Sequence, residues 1–98
     1  MPRRFKRRHC RRLNGRRNFK PSGVPAVNLE TVVLRLDEFE AMRLCDHEEK
    51  SQIEAAEAMG ISRGTVQRLL ISGRKKVLDV LIDAKELVIE DNFTASEE

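Results

Sequence analysis

The chain has 98 residues, enough for one compact domain with a modest core and too few for a two-domain enzyme. Four Phe and no Trp or Tyr leave the core to Leu, Ile, Val, Met and Ala, which favours helices. The net charge of +3 conceals a strong polarity: residues 1–20 carry ten bases and no acid, and residues 21–98 carry nine bases against sixteen acids, so the two parts stand at +10 and −7.

Such a block of like charge cannot pack against itself and suits a polyanion such as nucleic acid. Residues 1–25 read as a flexible, disordered basic arm and linker, with Arg3, Arg4, Arg7, Arg8, Arg11 and Arg12 set to hold phosphates or to enter a minor groove. The arm is neither amphipathic nor Ser-rich, which argues against a transit peptide. No apolar run approaches the ~18 to 20 residues of a membrane span, and none follows the first bases as in a signal peptide, so the expectation is a cytoplasmic protein without membrane contact. In a reducing compartment Cys10 and Cys45 stay as thiols.

Pro21, Gly23 and Pro25 break regular structure and mark a domain boundary, leaving residues 26–91 as the folded domain and 92–98 as a disordered acidic tail. Thr31 to Leu36 reads as a short strand, and Leu87-Val88-Ile89 is a similar apolar run. A two-stranded pairing of these runs, within one chain or across a dimer, is left open. Asp37 and Glu40 have the spacing of a capping box, so a first helix is expected from Glu38 to about Asp46 or His47. Its apolar stripe is Ala41, Met42, Leu44 and Cys45, with Phe39 at one edge. The acids Asp37, Glu38, Glu40, Glu48, Glu49, Glu54 and Glu57 are expected at caps and solvent faces.

Ser51 and Glu54 form a second capping box and open a second helix. Gly60 supplies the positive φ of a helix end, and Ser62 caps a third helix after a very short turn. From Arg63, the residues Val66, Leu69, Leu70, Gly73, Val77, Val80, Leu81 and Ala84 trace one face at helical period, as one long helix or two in series. Gly73 within it reads as a kink or a close-packing point. The fold class expected is mainly α: a three-helix helix-turn-helix domain.

Ser51 to Leu70 thus has helix-turn-helix spacing, with an αα-hairpin for protein binding as its bland alternative. Arg63, Gly64, Thr65, Gln67 and Arg68 fall on the outer face, where side chains reach base edges. Ser62, Arg74, Lys75 and Lys76 are better placed for phosphates. The expected partner is duplex DNA. The rivals are RNA bound through the arm, and a protein contact, for example with RNA polymerase, through the acidic surface of residues 37–57. A homodimer is a further expectation, joined through Val77 to Ile82 or the short strands.

The pattern Ser-Gln-x-Glu-Ala-Ala-Glu-x-Met-Gly-Ile-Ser-Arg-x-Thr-Val-x-Arg, followed by Gly-Arg-Lys-Lys-Val, resembles region four of bacterial sigma factors. The Pro-Arg-Arg start, Phe19-Lys20-Pro21 with Pro25, and Asp37-Glu38-Phe39-Glu40-Ala41-x-Arg43-Leu44-x-Asp46 resemble a family of small uncharacterised prokaryotic proteins predicted to bind DNA. That resemblance implies transcriptional regulation. His9, Cys10, Cys45 and His47 form a zinc-type donor set at spacings that match no known ligand pattern, and no nucleophile, acid–base pair or pocket converges. Neither a cofactor nor catalysis is expected.

Overall fold

The computed structural model describes residues 17–90. Strand β1 is Arg17–Phe19, and a turn with Gly23 at φ 81° leads to a single 3-10 turn at Ala26–Asn28. Strand β2 is Thr31–Arg35, and helix α1 is Leu36–Met42, which runs on into one π-helical turn at Arg43–His47. Helix α2 is Gln52–Met59, helix α3 is Arg63–Asp83 and strand β3 is Glu86–Glu90. The described chain is mostly helical, with a small three-stranded sheet.

In that sheet β3 is central. It pairs in parallel with β2, Val33 opposite Val88, and antiparallel with β1, Asn18 opposite Val88. A parallel pair needs a long crossover, and all three helices lie within it. The expected two-stranded pairing is therefore corrected to three strands, the third lying in the span 1–25 that the sequence assigned to arm and linker. Leu87, Val88 and Ile89 are buried, and a buried strand must pair its backbone on both edges. β1 supplies one edge while its own side chains stay exposed, so no apolar alternation marked it. The Glu86 carboxylate spans the sheet, accepting from Asn18 Nδ2 at 2.7 Å and Thr31 Oγ1 at 3.3 Å.

Helix α1 starts earlier than the sequence indicated. Its N-cap is Arg35, whose amide donates to the Glu38 carboxylate at 2.9 Å, so Glu38 rather than Glu40 is the acid that closes back on the helix start. Asp37 lies inside the first turn, fully buried, with Arg35 Nη2 at 2.9 Å and the Glu38 amide donating to it at 2.8 Å. Glu40 instead accepts two bonds of 2.8 Å from Arg43. Glu38 keeps the cap role expected of these acids, but Asp37, Glu38 and Glu40 are all buried and paired, which corrects their assignment to solvent faces and removes them from any acidic contact surface.

Helix α3 is one continuous spine shared by two apolar clusters. Its first half contributes Val66, Leu69 and Leu70 to a cluster with Ala41, Leu44, Ala55, Ala56 and Met59 of the other helices. Val80, with Val77 beside it, packs on Leu34, Leu36, Leu87 and Ile89 beneath the sheet, and Met42 touches both clusters. Gly73 is buried at the crossing with α1, so it is a close-packing point. Leu81 and Ala84 depart from the expected buried face: Leu81 is exposed, and Ala84 is the helix C-cap at φ 54°. The sheet covers the Val77 and Val80 side of the helix, and Leu81 lies one residue's turn beyond it. No helix among the described residues is long and apolar enough to cross a membrane.

Candidate nucleic-acid interface

The α2–α3 unit is built by local signals that close on themselves. At its start Ser51 Oγ accepts from the Glu54 amide at 3.0 Å, and Glu54 accepts from the Ser51 amide at 2.9 Å. These bonds hold the Glu54 carboxyl below its ordinary pKa. At the end of α2, Gly60 adopts φ 70° and ψ 35°, and the Ile61 amide returns to the Ala56 carbonyl at 3.1 Å, a Schellman closure. Two residues on, Ser62 Oγ accepts from the Thr65 amide at 3.1 Å and opens α3. Ala55, Ala56 and Met59 pack against Val66, Leu69 and Leu70, with Ile61 partly buried in the angle.

This packing turns the first two turns of α3 outward. Arg63, Gly64, Gln67 and Arg68 are exposed and Thr65 is half-buried, so the residues expected to meet base edges share one accessible surface. Arg63 Nη1 donates to Gln52 Oε1 at 3.0 Å, which ties it to the start of α2. Arg68 Nη2 donates to Thr65 Oγ1 at 3.2 Å, and Thr65 Oγ1 lies 2.9 Å from Ser62 Oγ. At Gly64 an added Cβ would come no closer than 3.8 Å to Arg68 and 4.0 Å to Ser62, so its exposed backbone leaves a shallow notch between them. From Ile61 to Leu78 the sequence has no acid and five bases, and no acid falls in the first turn of α3.

The residues expected on phosphates have partners inside the domain. Arg74 makes two bonds to Asp46, at 3.1 and 2.7 Å, which bind α3 to the π-helical turn and raise its pKa. Lys75 pairs with Asp79 one turn on, at 2.9 Å. Lys76 reaches the buried Glu38 at 2.8 Å, where Ser72 Oγ and the Arg35 amide also donate. Burial pushes the Glu38 carboxyl up, but the bonds from Lys76, Ser72 and Arg35 together hold it below its ordinary value. Lys76 therefore has a structural partner, 38 residues away in sequence, that local reading could not reveal. Ser62 is a cap whose hydroxyl stays at the surface.

Arg3, Arg4, Arg7, Arg8, Arg11, Arg12, His9 and Cys10 lie outside the described residues, as does the acidic tail 92–98. Cys45 is half-buried beside the helical cluster, and burial pushes its thiol pKa up, whereas His47 is exposed. Among the described residues no group of three or more His, Cys, Asp or Glu is placed to hold a metal ion.

A family model described as "Protein of unknown function DUF134" matches residues 1–94. Relatives carrying the name "UPF0251 protein" include one from Chloroherpeton thalassium, 51% identical over 90 residues, covering 92% of this chain and 60% of the relative. Another, from Prosthecochloris aestuarii, is 42% identical over 92 residues, covering 91% of this chain and 59% of the relative. A third, from Shewanella sediminis, is 47% identical over 85 residues, covering 84% and 88%. The chain thus spans about 60% of the length of the first two relatives and most of the third. No solved structure matches.

Proposed function

The chain belongs to the family described as protein of unknown function DUF134, and from that premise we propose that it binds duplex DNA sequence-specifically, as a transcriptional regulator. In this reading α2, the Gly60–Ser62 turn and α3 act as a helix-turn-helix resembling region four of sigma factors. The first two turns of α3 enter the major groove. Arg63, Gln67 and Arg68 offer donors and acceptors to base edges, Arg towards guanine and Gln towards adenine. Gly64 lets the backbone approach the groove wall, and Thr65 orients Arg68 through the bond they share.

The observation that carries the reading is the outward presentation of Arg63, Gly64, Gln67 and Arg68 on a capped helix start, within a stretch from Ile61 to Leu78 that holds no acid. The unpaired amides of a helix N-terminus favour an approaching anion. The Arg-rich stretch of residues 1–20 adds sequence-independent phosphate affinity, which is lost as salt rises. The charge of +10 there is set against −7 in the rest of the chain, so attraction to a polyanion concentrates on the arm and the α3 surface.

The test is selection of binding sites from a randomised duplex pool by the full chain, followed by fluorescence anisotropy over a salt series with selected duplex, scrambled duplex and RNA of the same sequence. The expected outcome is one enriched motif that is bound more tightly than scrambled duplex at every salt concentration. Equal affinity for all three, falling together with salt, would reduce the chain to a nonspecific polycation and end the proposal.

A further inference from the structure

We propose that the outward face of the C-terminal half of α3 docks a second copy of this chain, with the two α3 helices antiparallel about a two-fold axis. Ile71, Leu78, Leu81 and Ile82 are exposed at 61, 53, 71 and 75%. Single exposed apolar residues are ordinary, but four on three turns of one helix form a patch of the kind that marks an interface. The opposite side of the same stretch carries the buried Gly73 and Val80, so the patch points away from the chain's own core.

Spacing and charge identify the occupant. Ile71, Lys75, Leu78 and Ile82 follow at i, i+4, i+7 and i+11, the spacing of a coiled-coil seam, and Leu81 flanks it. Along this stretch the bases Arg74 and Lys75 come first and the acids Asp79 and Asp83 follow. A parallel second helix would set Lys75 against its own copy. An antiparallel one, with Ile71 across from Ile82, sets Lys75 across from Leu78 and beside Asp79 of the other copy. Asp79 already accepts from Lys75 of its own helix at 2.9 Å, so across the axis two such pairs form a four-charge network around the apolar seam. One helix supplies both halves of the complement, which is the requirement for a self-complementary two-fold interface. A lone polar residue in a seam fixes its register, and Lys75 is that residue here. The inference rests on exposure, spacing and charge, and is independent of the DNA-binding reading.

Sedimentation equilibrium of the full chain tests it. The expected mass is twice that of one chain at micromolar concentrations. Leu78→Glu and Ile82→Glu should each return single-chain mass with an unchanged far-UV circular dichroism spectrum, because both side chains are exposed in the single chain. Lys75→Glu should weaken association at least tenfold, and the reversed pair Lys75→Glu with Asp79→Lys should restore it. Single-chain mass for the unmodified protein at all concentrations would overturn the inference. So would a dimer that survives both glutamate substitutions, since the interface would then lie elsewhere.

Discussion

Gly73 of α3 lies directly against Met42 of α1: a Cβ at position 73 would stand 2.8 Å from the Met42 sulfur and 3.3 Å from the Cβ of Glu38. The crossing of α1 over the spine helix, and with it the junction between the two apolar clusters, depends on the missing side chain. In an open helix Gly73→Ala would stabilise by about 1 kcal/mol through backbone entropy. Here the Met42 side chain can yield but the Cβ of Glu38 is fixed by its backbone, so overpacking of about 1–3 kcal/mol opposes the gain. The expected result is a net loss of about 1 kcal/mol in urea unfolding, only partly relieved when Met42→Ala removes the sulfur contact, because the Cβ of Glu38 stays in place. A stabilised Gly73→Ala single variant would show that α1 can move off α3 at little cost.

Glu38 makes stability depend on pH. Its carboxylate takes bonds from Lys76, Ser72 and the Arg35 amide, and its folded pKa lies below the ordinary 4.5. A depressed folded pKa means that the unfolded chain takes up the proton first as pH falls. The contribution of Glu38 is therefore fully present above about pH 4.5 and is lost as pH falls through the lower folded value. Glu38→Gln should cost about 1–3 kcal/mol at neutral pH by leaving Lys76 without its anion. Thermal melts at neutral pH and at about pH 3 should show the gap between the two proteins narrowing in acid. A gap of constant size would mean that the carboxylate's charge is not what Lys76 and Ser72 bind.

What the sequence disclosed and what it hid divide by range of interaction. Ser51 with Glu54, Gly60, and Ser62 with Thr65 act within three to five residues, so the ends of α2 and the start of α3 were legible and appear where expected. The outward placement of Arg63, Gln67 and Arg68 followed from the same period. The α1 start was read two residues late because two acids, Glu38 and Glu40, stand at usable spacings, and only the Arg43 guanidinium decides that Glu40 turns elsewhere. Strand β1 has no apolar signature because its role is to pair the backbone of β3, some 70 residues on. The commitment of Lys76 to Glu38, and of Arg74 to Asp46, is equally nonlocal.

Those commitments separate two classes of base among the residues expected at DNA. Arg68→Ala should cost about 1–3 kcal/mol on the selected site and relax preference at one base position, with an unchanged salt slope. Arg8→Ala or Arg12→Ala should weaken all duplexes equally and lower the slope of log affinity against log salt by about 1. Lys76→Ala should leave that slope unchanged because its ammonium is bound to Glu38. Anisotropy titrations on selected and scrambled duplexes distinguish the three patterns. A uniform loss from Arg68→Ala would move that residue from base reading to phosphate holding.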